Sequence, residues 1–315
     1  MEYELTATPL SQVRDKQLQW LWKRFLPRRK IVLLDGDPAV GKSLVTLDLA
    51  ARLSRGAALP DGTPSGRPHT VLLLAAGADL DRLIVVADYD GLPIQFPEQL
   101  MKLGELVRHH RPDLIIIDPI MAYLSLKVGA QNDQSVRQLL SALSVSAERA
   151  DCTFLLVRHL RKAGSHKAVY RGSGSIAFIA AARTGLLAAP DPRAPDRCVL
   201  AVTKSNLADT PHSLGYRIRS KADGLPVVDW LGRVEVDANE LNAMRDSVRP
   251  RERAITWLRE ELASGPRKSA EVLAAAVAAG IPERTVLRAK ADLGIVSRQL
   301  GERSGNAWYW IDPAM

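Results

Sequence analysis

The apolar residues of this chain fall into short blocks with two different periods. "KIVLLDG" at 30–36 is a continuous apolar run closed by an acid and a glycine, the pattern of a strand buried on both faces. In "KSLVTLDLAARLSRG" at 42–56, Leu44, Leu47, Leu49 and Leu53 recur at helical spacing and Gly56 supplies a stop signal. The turn-rich "LPDGTPSGRPH" at 59–69 precedes a second strand, "TVLLLA" at 70–75, and "LIVVAD" at 83–88 reads as a short third. "PEQLMKLGELVRHH" at 97–110 predicts a helix and "DLIIIDP" at 113–119 a buried strand ending in an acid. A helix over 134–150 and a strand in "CTFLLVRHL" at 152–160 follow. "RTGLLAAP" and "RCVLAVTKS" add two more strands, joined by a turn in "APDPRAPD" at 189–196. Apolar strands alternating with helices imply an α/β fold with a mostly parallel sheet and helices on both faces. The last strands extend that sheet in antiparallel fashion.

After "VVDWLGRVEVDANELNAMRDSVRP" the character changes, which places a domain boundary near Asp246 and divides the chain into 1–246 and 247–315. The second part offers three short helical patterns and a terminal aromatic strand pair, "IVSRQLGERSGNAWYWI". "SAEVLAAAVAAG" at 269–280, the turn "IPE" and "RTVLRAKADLG" at 284–294 read as helix–turn–helix. Val272, Leu273 and Val277 line one apolar face, and Val286, Leu287 and Leu293 the next. With the aromatic pair as a wing, this predicts a small winged helix-turn-helix domain. Arg284, Arg288 and Lys290 would face a duplex major groove, although such modules also serve as protein-binding units.

Composition changes this picture little. The chain has 315 residues, 46% hydrophobic and 25% charged, enough for one large core and a small second domain. Lys and Arg number 43 against 35 Asp and Glu, a net charge of +8 that suits a polyanionic partner. The basic "KRFLPRRK" at 23–30 reads as a solvated face. Cys152 and Cys198 both sit in apolar runs, the pattern of reduced, buried thiols, and no metal-ligand spacing is present. "MEYELTATPL" lacks a basic flank followed by an apolar stretch, and no apolar run is long enough to span a bilayer. A soluble, cytoplasmic protein without a membrane partner is expected. No primase or nuclease constellation is visible.

The chemistry concentrates in "GDPAVGKS". Gly36, Asp37, Pro38, Ala39, Val40, Gly41, Lys42 and Ser43 form a glycine-rich loop between a strand and a helix, where backbone N–H groups and the helix end converge on phosphate. Lys42 would neutralise the β- and γ-phosphates, and Ser43 would ligate Mg²⁺. Asp118 ends an apolar strand downstream, in the place of an acid that holds the Mg²⁺ shell. ATP and Mg²⁺ are the expected ligands.

With those pieces in order, residues 30 to about 230 resemble the RecA-like ATPase core of hexameric helicases of the plasmid RepA and DnaB type. More closely, they resemble the bacterial AAA family ATPases of plasmids and phages that share the RepA-type core. The resemblance rests on "LLDGDPAVGKS", "LIIIDPIMAYL", "LLVRHLRK", "YRGSGSIAFIAAART" and "VLAVTKSNLA", about two-thirds of the chain. It implies that His159 is the γ-phosphate sensor, Arg171 an arginine finger reaching a neighbouring subunit, and Lys204 a second cation acting in trans. It also implies a homo-oligomeric ring, such as a hexamer, with single-stranded DNA in its pore. Lys127 in "SLKVGAQNDQ" and Lys162 and Lys167 in "RKAGSHKAVYRG" stand where pore loops meet that strand. One departure matters. The family's water-orienting glutamate falls nearest Gly77, and only Asp79 or Asp81 is close enough to deputise. The connection over 75–82 is also short for a parallel crossover. The expectation is a DNA-acting ATPase of replication, with an ATP-gated DNA-binding regulator of weak hydrolysis as the alternative. A recombination mediator would share the same core.

Overall fold

The computed structural model describes residues 17–75, 84–85, 94–125, 128, 133–159, 176–221, 224–263, 265–300 and 307–312. The chain divides into two compact units, 1–241 and 242–315.

The first unit begins with a hairpin of β1 (Trp20–Trp22) and β2 (Leu26–Pro27), then β3 (Ile31–Gly36), α1 (Lys42–Arg55), β4 (Val71–Ala75) and β5 (Ile84–Val85). It continues through α2 (Leu100–His110), β6 (Leu114–Asp118), a 3-10 turn (Ile120–Tyr123), α3 (Asp133–Arg149), β7 (Thr153–His159) and α4 (Ala177–Ala181). Four long strands follow, β8 (Thr184–Asp191), β9 (Ala194–Ser205), β10 (Ser213–Ser220) and β11 (Pro226–Val234), and α5 (Ala238–Leu262) leaves them. Among the described residues, nine strands make one sheet in the order β11-β10-β9-β8-β3-β7-β6-β4-β5. β8, β3, β7, β6, β4 and β5 run parallel, while β9, β10 and β11 extend the β8 side in antiparallel steps. This is the α/β, mostly parallel P-loop core that the sequence implies.

Every residue of β3 is buried, because helices cover both faces of the sheet. Ile31 and Leu33 pack with Ile115, Phe154 and Leu156 under Leu103 of α2, Leu140 of α3 and Phe178 of α4. Val32 and Leu34 point the other way, into Leu155, Val157, Val45 and Leu49 of α1, and Trp22 and Phe25 of the hairpin. Each aliphatic or aromatic side chain buried this way contributes about 1.5–3 kcal/mol.

Several elements depart from the expectation. β10 and β11 were not anticipated as strands, nor was the β1–β2 hairpin. The turn expected over 189–196 shrinks to Pro192 and Arg193, since β8 ends at Asp191 and β9 begins at Ala194. β5 pairs parallel with β4 even though only 76–83 separate them. β11 closes one edge of the sheet, and Leu231 bulges from it: Gly215 pairs with Gly232, whereas Tyr216 pairs with Trp230.

The basic stretch at 23–30 is not simply solvated. Arg28 reaches Asp113 Oδ1 at 2.9 Å, where Arg67 arrives at 2.8 Å and His69 Nδ1 stands 3.2 Å from Oδ2. Arg29 Nε donates to Asp151 Oδ1 at 2.7 Å. These acids precede β6 and β7, so the basic stretch closes the end of the sheet where the parallel strands begin. Burial opposes ionisation of Asp113, but hydrogen bonds and charge from His69 and Arg28 outweigh it and hold the carboxyl well below the usual range.

The second unit takes the rest of α5, then β12 (Arg267–Lys268), α6 (Ser269–Ala278), α7 (Glu283–Asp292), β13 (Val296–Leu300) and β14 (Ala307–Ile311). Its three strands form a sheet in the order β12-β14-β13. Its core joins Ala254, Leu258 and Leu262 of α5 to Val272, Ala276, Val286, Ala289 and Trp310. The order helix–strand–helix–helix–hairpin is that of a winged helix-turn-helix. The boundary expected near Asp246 lies inside α5, which continues through Pro250. Among the described residues, no helix is long and apolar enough to cross a membrane.

Candidate nucleotide-binding site

β3 is flanked by β7 and β8, although the chain leaves β3 for β4, two strands beyond β7. Strand order reverses there, and in an open parallel sheet such a switch point opens a crevice at the carboxyl ends of the strands. Register fills that crevice with functional groups. Gly36 of β3 lies opposite His159 of β7, and Asp118 closes β6 opposite Ala75.

The loop over 37–41 is shaped by two left-handed residues, Ala39 at φ 64° and Gly41 at φ 75°. Left-handed residues set among right-handed ones turn successive N–H groups toward one concave side, which favours an anion. Gly41 precedes α1 and accepts the Val45 N–H at 2.9 Å, so the loop feeds directly into the positive end of a helix with 14 residues. Gly36 is required by close approach, since a Cβ there would lie 2.5 Å from Ala188 O.

Lys42 is buried, and its ammonium donates to Gly36 O at 3.1 Å and Asp37 O at 2.7 Å. His159 Nδ1 stands 3.3 Å from the same nitrogen. Burial lowers the Lys42 pKa, and the charges of Asp118 and Asp37 act the other way. Burial also lowers His159, with the Lys42 charge adding to the effect, so the imidazole is held toward its neutral form. A neutral ring can present Nδ1 to Lys42 as an acceptor. For Asp118, burial raises the pKa, while a hydrogen bond from the Ser43 hydroxyl and the Lys42 charge oppose it. The Ser43 hydroxyl and Asp118 carboxylate thus meet beside the phosphate loop as hard oxygen donors. That donor set fits Mg²⁺, which takes one or two protein oxygens and completes its shell with water and phosphate.

Two sets of contacts that carry this site were not read from the sequence. Directly below the loop, Arg158 grips Asp35 with Nε to Oδ1 at 2.9 Å and Nη2 to Oδ2 at 2.8 Å, and both side chains are buried. Burial raises Asp35, against the pull of Arg158. The signal was present as an acid and an arginine inside otherwise apolar runs, at positions that pair across β3 and β7. The antiparallel extension supplies the second set. Tyr216 OH donates to Val40 O at 2.7 Å, and Trp230 Nε1 donates to Asp48 Oδ2 of α1 at 2.8 Å.

The remaining candidates separate. Lys204 donates to Ile179 O at 2.6 Å and Ala182 O at 2.8 Å, closing the end of α4 in its own chain. Arg284 and Arg288 are exposed on one face of α7. Lys290 instead folds back on its own unit, 4.7 Å above the Trp310 ring and donating to Ser297 Oγ at 2.5 Å. Arg171, Lys127, Lys162, Lys167, Gly77, Asp79 and Asp81 lie outside the described residues.

A family profile described as AAA domain matches residues 2–165. No curated protein matches the sequence. Among solved structures, the chain is similar to a KaiC-like protein from the hyperthermophilic archaeon Pyrococcus horikoshii OT3. That match has 15% identity and a TM-score of 0.43, and covers 65% of this chain and 91% of that one.

Proposed function

We propose that this chain, which belongs to the AAA domain family matched over residues 2–165, is an ATPase acting on DNA, a replication protein of the RepA helicase type. The observation that carries this reading is the convergence of Lys42, Ser43, Asp118 and His159 at the carboxyl ends of β3, β6 and β7. In this reading the loop N–H groups and Lys42 hold the β- and γ-phosphates, and Ser43 and Asp118 hold Mg²⁺. Bound there, Mg²⁺ supplies charge neutralisation at the phosphate oxygens. His159, whose Nδ1 stands 3.3 Å from the Lys42 ammonium, senses whether the γ-phosphate is present. Arg171 and Lys204 of a neighbouring copy add positive charge around the transferred group in a homo-oligomeric ring, which for Lys204 requires release from the α4 carbonyls. DNA binding is supported by the net charge of +8 and by exposed Arg284 and Arg288 on the second helix of the helix–turn–helix. Single-stranded DNA would pass the loops bearing Lys127, Lys162 and Lys167.

A second reading, an ATP-gated DNA-binding regulator, is favoured by one feature. The connection 76–83 between β4 and β5 contains Asp79 and Asp81 but no glutamate to orient water. General-base catalysis typically contributes about 10²- to 10⁴-fold, so turnover should be slower by that order than in a relative with the glutamate. The test is ATP turnover with and without single-stranded DNA, beside Mg·ATP-dependent melting shifts, for wild type and Lys42→Ala. We expect a melting shift in wild type that Lys42→Ala loses, and slow turnover that DNA stimulates. Equal shifts in both proteins would remove the site assignment. Turnover of tens per second would remove the regulator and put Asp79 or Asp81 in the glutamate's place.

A further inference from the structure

Tyr216 belongs to none of the motifs that the nucleotide reading uses, yet it touches the phosphate loop. Its side chain is 0% exposed, and its hydroxyl reaches Val40 O across 176 positions of sequence. Neighbouring strands fix it in place. Tyr216 pairs with Trp230 on β11 and with Cys198 on β9, and the Tyr216 and Trp230 rings stand 5.4 Å apart. Trp230 is itself tied to α1 through Asp48. Two residues along β10, Ile218 lies against the loop so closely that a Cβ on Gly41 would come within 2.3 Å of Ile218 Cδ1.

A trans peptide is planar, so its C=O and N–H point in opposite directions. A donor that holds the Val40 carbonyl therefore also fixes the direction of the Gly41 N–H, which must point away from Tyr216. That amide belongs to the glycine-rich loop whose N–H groups a phosphate would take. The plane needs such a restraint, because Gly41 has no Cβ to limit its rotation.

We infer that Tyr216 is a positioning residue for the phosphates of the nucleotide: its hydroxyl locks the Val40–Gly41 peptide with the amide toward the ligand, and so couples the β10–β11 hairpin to nucleotide affinity. The inference rests on the ATP-binding reading above.

Tyr216→Phe removes the hydroxyl and keeps the ring. In a titration of the full chain with a fluorescent Mg·ATP analogue, its Kd should rise about three- to tenfold, the worth of one buried hydrogen bond. Displacement of the analogue by pyrophosphate should weaken by the same factor, which locates the loss at the phosphates. A general loss of stability is controlled by Thr153→Val, which deletes another buried bond to a carbonyl, Thr153 Oγ1 to Pro27 O at 2.9 Å, away from the loop. That variant should melt at a lower temperature and bind the analogue as wild type does. An unchanged Kd in Tyr216→Phe, or an equal rise in Thr153→Val, would overturn the inference while leaving the ATP site standing. Failure of wild type to bind the analogue would overturn both.

Discussion

At Gly36 the sheet leaves no room for a side chain. A Cβ would sit 2.5 Å from Ala188 O on the adjacent strand and 3.1 Å from Lys42 Cδ, and a backbone carbonyl in the middle of a sheet cannot step aside. Gly36→Ala should therefore cost about 1–3 kcal/mol, the usual penalty of overpacking, and should displace Lys42. Three residues on, the logic reverses. Ala39 is held at φ 64°, a region that side chains disfavour by about 1–2 kcal/mol. Ala39→Gly relieves that strain and loosens the unfolded chain, so it should be neutral or stabilising by up to about 1 kcal/mol. Urea denaturation of the two variants decides the matter, and a less stable Ala39→Gly would show that the loop is not strained there. At this scale the motif residues were legible, because Lys42, Ser43, Asp118 and His159 take their places from strand ends that the apolar pattern marks. Asp35 and Arg158 were not, since one polar residue in an apolar run does not disclose its partner before the order of strands is known.

Among the elements, the parallel strands were the easiest to read. Burial on both faces leaves them as unbroken apolar runs, and β6 shows only its terminal Asp118 partly exposed. β10 and β11 escaped because each is half wet. No described position of β11 is fully buried, and its Val228 and Trp230 alternate with Asp229 and Leu231, which the apolar-run pattern does not mark. Yet these strands carry the hydroxyl and the indole that grip the loop and α1. The opposite end of the sheet makes a different prediction, from Asp113. Its folded pKa is depressed, so the stabilisation it gives is fully present above the ordinary carboxylate value of about 3.9 and is lost as pH falls through the lower folded value. Urea midpoints should therefore decline steeply below about pH 4. Asp113→Asn should lower the midpoint at pH 7, by taking one carboxylate partner from Arg28, Arg67 and His69, and should flatten the acid decline. Parallel pH profiles for the two proteins would show that Asp113 does not drive it.

The whole chain is two units, and α5 supplies hydrophobic residues to both: Ala238 and Leu241 to the first, Ala254, Leu258 and Leu262 to the second. Removing 242–315 keeps Leu241 with its cluster, so the shortened chain should bind Mg·ATP as before. Its affinity for duplex DNA should fall, measured by fluorescence anisotropy at matched salt. Unchanged duplex affinity would make the second unit a protein-binding module. The change of character in the sequence placed the division near Asp246, close to the observed one after Leu241, but not the helix that runs through it, since a helix that changes allegiance midway keeps one continuous pattern. The outer edge of the large sheet bears on how copies of this chain could meet. An uncovered strand edge is a template on which another molecule can add a strand of its own. β11 opens with Pro226, which has no N–H to offer, and its Leu231 bulge breaks the regular spacing of backbone groups. Between them Asp229 is engaged by Arg217 at 2.9 Å and by Arg219 at 3.1 Å. Sideways growth of the sheet into fibres from its β11 edge is thereby discouraged, and a neighbouring copy that meets this edge would do so through side-chain surfaces instead of a shared strand.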